Sequence, residues 1–223
     1  RSSRRRPIRM PAADACSVTR ETSIRIQHEF GQYGPGRRRM PKFIFITEIA
    51  MNKFTQLLTS DKVLVADGAT GTNLQKMGLM PGIPPEDLVF DQPDLLLKLE
   101  TAFIEAGSDI ILTCTFGGTR PRMKESKYAD RTAEVNTRAV ELARQAASSR
   151  TRVLVAGSIG PTGLLLKPYG PITADEAFAT YQEQVKALVE GGVDLLVIET
   201  HFAFDEADAA FKAARSVTDL PIV

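Results

Sequence analysis

The chain has 223 residues, 43% apolar and 25% charged, with a net charge of +1 and two cysteines, Cys16 and Cys114. Those values describe an ordinary globular protein long enough to bury a sizeable core; they exclude a disulfide framework, a cysteine-only metal site within the chain and, with no apolar run of about eighteen residues, a membrane-spanning helix. Residues 1–50 hold ten Arg and one Lys against Asp14, Glu21, Glu29 and Glu48, so +7 sits there and −6 on residues 51–223, an acidic body without the clustered Lys and Arg that nucleic-acid binding needs.

Residues 1–50 are rich in Arg, Ser, Pro and Gly and follow neither helical nor strand periodicity, which predicts a disordered extension. An Arg-rich transit peptide, a nucleic-acid-binding arm and sequence upstream of the true start remain open for it. Met51 reads as a natural beginning, and two cysteines without a secretory signal fit the cytoplasm.

From Met51 the pattern alternates. A short amphipathic lead-in precedes Val63-Leu-Val-Ala-Asp-Gly-Ala-Thr-Gly-Thr72, an apolar strand that breaks into a glycine-rich turn. After a proline-punctuated loop at 80–85, Pro93 opens a helix with Leu95, Leu99, Ala102 and Ala106 on one face, ended by Gly107. A strand over 109–116 follows. The second helix starts near Asp130 and buries Val135, Ala139, Leu142 and Ala146; its strand is 152–156, running into a loop over 157–163. The third opens with Thr173-Ala-Asp-Glu176, a capping box, and turns Phe178, Tyr181, Val185 and Leu188 inward. Gly191 and Gly192 lead into a strand over 193–200. A fourth helix, about 205–217, carries Ala207, Ala210, Phe211 and Ala214 as its buried stripe, and Pro221-Ile-Val223 begins a fifth strand.

The αβ joint is built twice, as Ile104-Glu-Ala-Gly-Ser-Asp-Ile-Ile-Leu112 and as Val189-Glu-Gly-Gly-Val-Asp-Leu-Leu-Val197. Nearly all-apolar strands alternating with helices predict an α/β fold with a covered parallel sheet, either a (β/α)8 TIM barrel or a doubly wound sheet. If a barrel, the chain supplies about four βα units and the start of the fifth strand.

In either architecture ligands lie at the carboxyl ends of the strands. Two carboxylates, Asp67 and Glu199, fall there, among glycine turns and threonine hydroxyls. That set suits a zwitterionic amino acid, the acids holding an ammonium group and the turn amides a carboxylate. The same acids also fit as caps of local amides or as partners of core lysines, and as an acid/base pair of a different barrel enzyme. No Gly-x-Gly-x-x-Gly or Walker loop supports a nucleotide. His201 is left unassigned, and Cys114, inside its strand, reads as a buried small residue.

Four stretches, Asp67-Gly-Ala-Thr-Gly-Thr72, Glu105-Ala-Gly-Ser-Asp-Ile-Ile-Leu-Thr-Cys-Thr-Phe-Gly117, Gly157-Ser-Ile-Gly-Pro-Thr-Gly163 and Val193-Asp-Leu-Leu-Val-Ile-Glu-Thr200, resemble in this order the amino-terminal half of a homocysteine S-methyltransferase domain. Such domains occur in cobalamin-dependent methionine synthase and betaine-homocysteine methyltransferase. The resemblance implies a (β/α)8 barrel that methylates the homocysteine thiol to give methionine. Asp67 and Glu199 would hold the amino group, and the amides of Gly68, Ala69, Thr70, Gly71 and Thr72 the carboxylate. It also implies a zinc ion on three cysteines that holds the sulfur as a thiolate, with cobalamin or methyltetrahydrofolate reached through other domains. Those cysteines are expected beyond Val223, so residues 51–223 read as a truncated domain with no catalytic or metal residue of its own, inactive alone. A non-catalytic half-barrel that binds a small molecule or assembles with another half is the alternative.

Overall fold

A computed structural model describes residues 52–59, 63–150 and 152–223; the expectations for residues 1–50 and for Met51 lie outside them. Asn52 starts the first helix, α1 (Lys53–Leu58), by accepting the Thr55 amide at 2.8 Å. Residues 63–66 then run extended, and the chain turns at Gly68 into α2 (Thr70–Lys76). The short α3 (Leu88–Asp91) and α4 (Pro93–Ala106) follow, the latter opened by its proline and closed by Gly107 at φ 109°, a left-handed conformation that glycine adopts without steric cost. Next come β1 (Ile110–Leu112), α5 (Thr132–Ala147), β2 (Leu154–Ile159), α6 (Ala174–Gly191), β3 (Leu195–Ile198) and α7 (Phe204–Val217).

The three strands form one parallel sheet in the order β1-β2-β3, with Ile110 opposite Leu154 and Ala156 opposite Leu195. Two further segments extend it. Residues 63–66 run beside β1 through Asp109 N to Val65 O (2.7 Å) and Asp67 N to Ile110 O (2.9 Å), and residues 221–223 run beside β3 through Leu196 N to Pro221 O (2.9 Å). Spatial order thus follows chain order, with helices as the crossovers between parallel neighbours.

Both faces of the sheet are covered. Ile111, Val155, Ile159 and Leu196 point to the helices and pack with Val140 and Ala143 of α5, Tyr181, Val185 and Leu188 of α6, and an alanine face of α7. Alternate residues Ile110, Leu154, Ala156 and Leu195 point the other way, where Phe54 of α1 packs on them. Burial on both faces explains why the strands lack polar alternation. At Gly157 an added Cβ would lie 3.0 Å from both Leu188 of α6 and Leu196 of β3, so the helix sits as close to the strand as its backbone allows.

Several expected boundaries and faces shift. The strand expected over 109–116 stops at Leu112, because the chain turns at Thr113–Thr115: Thr115 N donates to Thr113 O, the two hydroxyls bond at 2.7 Å, and the Thr115 hydroxyl donates to Ser158 O. Cys114 is therefore buried in the turn after the strand rather than inside it. The strand expected over 152–156 runs on to Ile159, so Gly157 and Ser158 belong to β2. On α4 the buried side is Leu96, Leu99, Glu100 and Ile104, with Ala102 and Ala106 exposed. On α7 it is Ala209, Ala210, Ala213 and Ala214, with Ala207 only half-buried and Phe211 46% exposed; the small residues let this helix approach the core closely, and a phenyl ring would hold it off.

The capping box of α6 forms as its sequence predicts, Glu176 N donating to Thr173 Oγ1 (3.2 Å) and Thr173 N to Glu176 Oε2 (2.7 Å). Replacing Thr173 by Ala removes one of these bonds and is expected to lower stability by about 1 kcal/mol. The urea midpoint should fall with the slope unchanged, and an unchanged midpoint would show that the cap is dispensable.

Candidate functional site

Parallel pairing brings the carboxyl ends of the extended segment 63–66 and of β1, β2 and β3 to one end of the sheet, and a cleft of about 350 Å3 opens there. Asp67 and Glu199 both line it. Each acid reaches sideways to the neighbouring strand: the Leu112 amide donates to Asp67 Oδ2 at 2.9 Å, and the Ser158 hydroxyl donates to Glu199 Oε1 at 2.7 Å. Thr200 follows at φ 62°, a left-handed conformation that costs a β-branched residue on the order of 1–3 kcal/mol and turns the chain away directly after Glu199.

Burial, more than any neighbour, raises the Asp67 carboxyl to about 6, with the negative charge of Glu199 adding to it and the Leu112 amide opposing it. Behind Asp67 lies Glu100 of α4, buried and raised to about 8 by burial first and Asp67 second. Its Oε2 has no hydrogen-bond partner, and burial favours the neutral form of the side chain near pH 7. Glu86 is also buried and raised; it accepts from the Gly117 amide, where an added Cβ would come within 2.8 Å of its carboxyl oxygen. The site is thus built from acids in a poorly solvated place, which favours a cationic group arriving from outside.

Gly68, Ala69, Thr70 and Gly71 line the cleft beside the two acids. Thr72 does not line it, because α2 begins at Thr70 and its turn carries Thr72 to an exposed position. Cys114 reaches the cleft wall, but burial and then the charges of Glu86 and Glu100 push its thiol well above the usual range, which disfavours the thiolate. Among the described residues no three His, Cys, Asp or Glu side chains group as a metal site. The donor set does not fit the zinc that the resemblance implies, and no chemical step is assigned to it.

His201 finds its place behind Glu199. Its Nε2 lies 3.1 Å from the Tyr181 hydroxyl, which donates to Glu206 Oε1 at 2.9 Å; the same carboxyl oxygen accepts from the amide and hydroxyl of Thr162 at 2.8 and 2.7 Å. This cluster ties the turn after β2 to the first turn of α7, the segments that precede and follow Glu199 in the chain. Sequence reading missed Glu86, Glu100, Ser158 and Arg122. Ser158 was readable from its place beside Gly157; Glu86 and Arg122 enter from short 3-10 turns that carry no periodic signal.

A profile of the family described as homocysteine S-methyltransferase matches residues 64–223. The fold resembles three crystal structures of the homocysteine methyltransferase MmuM from Escherichia coli. The metallated form is 23% identical with a TM-score of 0.65 over 77% of this chain and 65% of that one; the oxidized form is 24% identical, with a TM-score of 0.65 over 77% and 64%. The apo form is 24% identical, with a TM-score of 0.59 over 77% and 62%. The chain thus spans less than two thirds of the length of these structures.

Glu100 offers a direct check of the electrostatics. Its native carboxyl keeps a proton that the unfolded chain loses near an ordinary 4.5, so raising the pH toward about 8 favours unfolding. Between pH 7 and 8, above the range where Asp67 titrates, stability is expected to fall more steeply in the wild type than in Glu100→Gln. Equal slopes in urea titrations of the two proteins would refute the assignment.

Proposed function

The chain belongs to the homocysteine S-methyltransferase family, and from that premise we propose that its cleft holds homocysteine for methylation of the thiol to methionine. The observation that carries this reading is the convergence of Asp67 and Glu199 at one end of the sheet, next to the turn at Gly68–Gly71. The ammonium group of the amino acid lies between the two carboxylates, where it offsets the burial and, after it, the Glu199 charge that raise Asp67. The amides of Gly68, Ala69, Thr70 and Gly71 receive the carboxylate, and Thr72 contributes at most through its backbone. In the reaction the sulfur loses its proton and forms a bond to the methyl carbon while the donor departs with the electron pair of the bond it breaks. The chain's own part is to fix the amino-acid end, so that the sulfur meets the donor in one orientation.

Within this reading residues 51–223 form the first part, about four βα units and the start of the fifth strand, of a (β/α)8 barrel, residues 1–50 precede it as an Arg-rich extension, and the protein works in the cytoplasm. Among the described residues no helix is long and apolar enough to cross a membrane. Zinc, which the resemblance implies, would be held by cysteines other than Cys114.

One observation favours the second reading, a half-barrel that binds a ligand or assembles without catalysis. Val63 and Val65 on one outer edge of the sheet are 81% and 52% exposed, and an apolar edge of this kind invites a partner. A monodisperse dimer of residues 51–223 in size-exclusion chromatography supports it, and a monomer argues against it.

The substrate reading predicts a signed pH effect. Asp67 ionises near 6, so in the full-length protein homocysteine binding should strengthen as the pH rises from about 5 to about 7. Asp67→Asn should bind at least tenfold more weakly and lose that rise, as expected for removal of one charge-assisted bond. A flat wild-type profile in titration calorimetry, or Asp67→Asn with wild-type affinity, would sink the assignment.

A further inference from the structure

Eight arginines lie among the described residues, and seven of them hold an acid or a backbone carbonyl. The eighth, Arg122, makes no hydrogen bond or ion pair, and it is the one basic side chain lining the cleft that Asp67, Glu86 and Glu199 also line. Its position is built. The turn Arg122–Glu125 is anchored by buried Met123, whose amide donates to Thr119 O at 2.9 Å. The arginine stem lies over Gly163, where an added Cβ would come within 3.0 Å of Cδ and 3.3 Å of Nη1. Gly163, at φ 78°, therefore both turns the loop after β2 and leaves the room the side chain occupies.

We infer that Arg122 is a specificity-determining residue of the amino-acid site: it supplies the countercharge for the substrate carboxylate and so selects a zwitterion over a simple amine. The inference rests on the reading of the cleft as a homocysteine site and deepens it. A cleft walled by three acid side chains attracts an ammonium group and repels a carboxylate. The amides of 68–71 are neutral and orient a carboxylate without cancelling that repulsion. A guanidinium that makes no hydrogen bond or ion pair, and whose charge already acts on Glu86, does cancel it, and its planar fork matches both carboxylate oxygens. The exposed position of Arg122 lets it meet the ligand at the cleft mouth, while Asp67 and Glu199 take the ammonium group further in.

The test compares homocysteine with 3-aminopropane-1-thiol, which keeps the amine and thiol and lacks the carboxylate, by titration calorimetry on the full-length protein. Wild type should prefer homocysteine. Arg122→Gln should weaken homocysteine roughly ten- to a hundredfold and leave the decarboxylated thiol as tight or tighter, and Arg122→Lys should fall between. Arg122→Gln that binds homocysteine like wild type, or that loses both thiols by the same factor as a structural defect would, overturns the inference while leaving the homocysteine reading in place. A wild type that binds neither thiol refutes that reading and this inference with it.

Discussion

The bond from the Leu112 amide to the Asp67 carboxylate is the constraint on which the site depends. A strand that ends in an acid normally sends that side chain into solvent. Here the amide is the one at the end of β1, where the ladder runs out and the donor has no strand carbonyl to meet, so the carboxylate both completes the sheet and is drawn over its edge. Glu199 repeats the device with the Ser158 hydroxyl of β2. Each acid is positioned by the strand beside its own, so the spacing of the two carboxylates is set by sheet geometry rather than by loop conformation.

That rigidity has an electrostatic cost which the surroundings manage in different ways. Asp67 stands partly desolvated and raised, Glu100 behind it is raised further by its deeper burial, and Glu86 holds an amide of the next loop. The three responses follow from burial and from the hydrogen-bond donors within reach. A cation placed between Asp67 and Glu199 meets a field already prepared for it. Tyr181, Glu206, Thr162 and His201 stand behind that field as a satisfied network, which keeps the loops from relaxing away from the acids.

Much of the fold was legible in the sequence because its signals are local. Pro93 and Gly107 bound one helix, Thr173 and Glu176 open another, and apolar runs mark each strand. What failed were features decided by packing. The periodicity of α7 put Phe211 inward, but close contact with the core selects the alanines on the adjacent face. The apolar run after Asp109 continues past Leu112, yet two threonines, Thr113 and Thr115, whose hydroxyls bond each other and the Ser158 carbonyl, turn the chain out of the sheet. In the site, Asp67 and Glu199 were readable as acids at strand ends. Glu100 was not, because a lone acid on a helix reads as solvated unless its turn of helix is known to face the core.

Strand order that equals chain order has a consequence for how the molecule is made. Each new strand pairs with the one just completed, from Ala66 to Ile110, from Ile110 to Leu154 and from Ala156 to Leu195, so these three additions close loops of similar length, and the last, from Leu196 to Ile222, closes a shorter one. Because loop-closure entropy grows only with the logarithm of length, these steps are nearly equal, and each of these pairings joins neighbours in chain order. A chain emerging from the ribosome can therefore lay down the sheet in the order of its synthesis, with the growing edge serving each time as the template for the next strand.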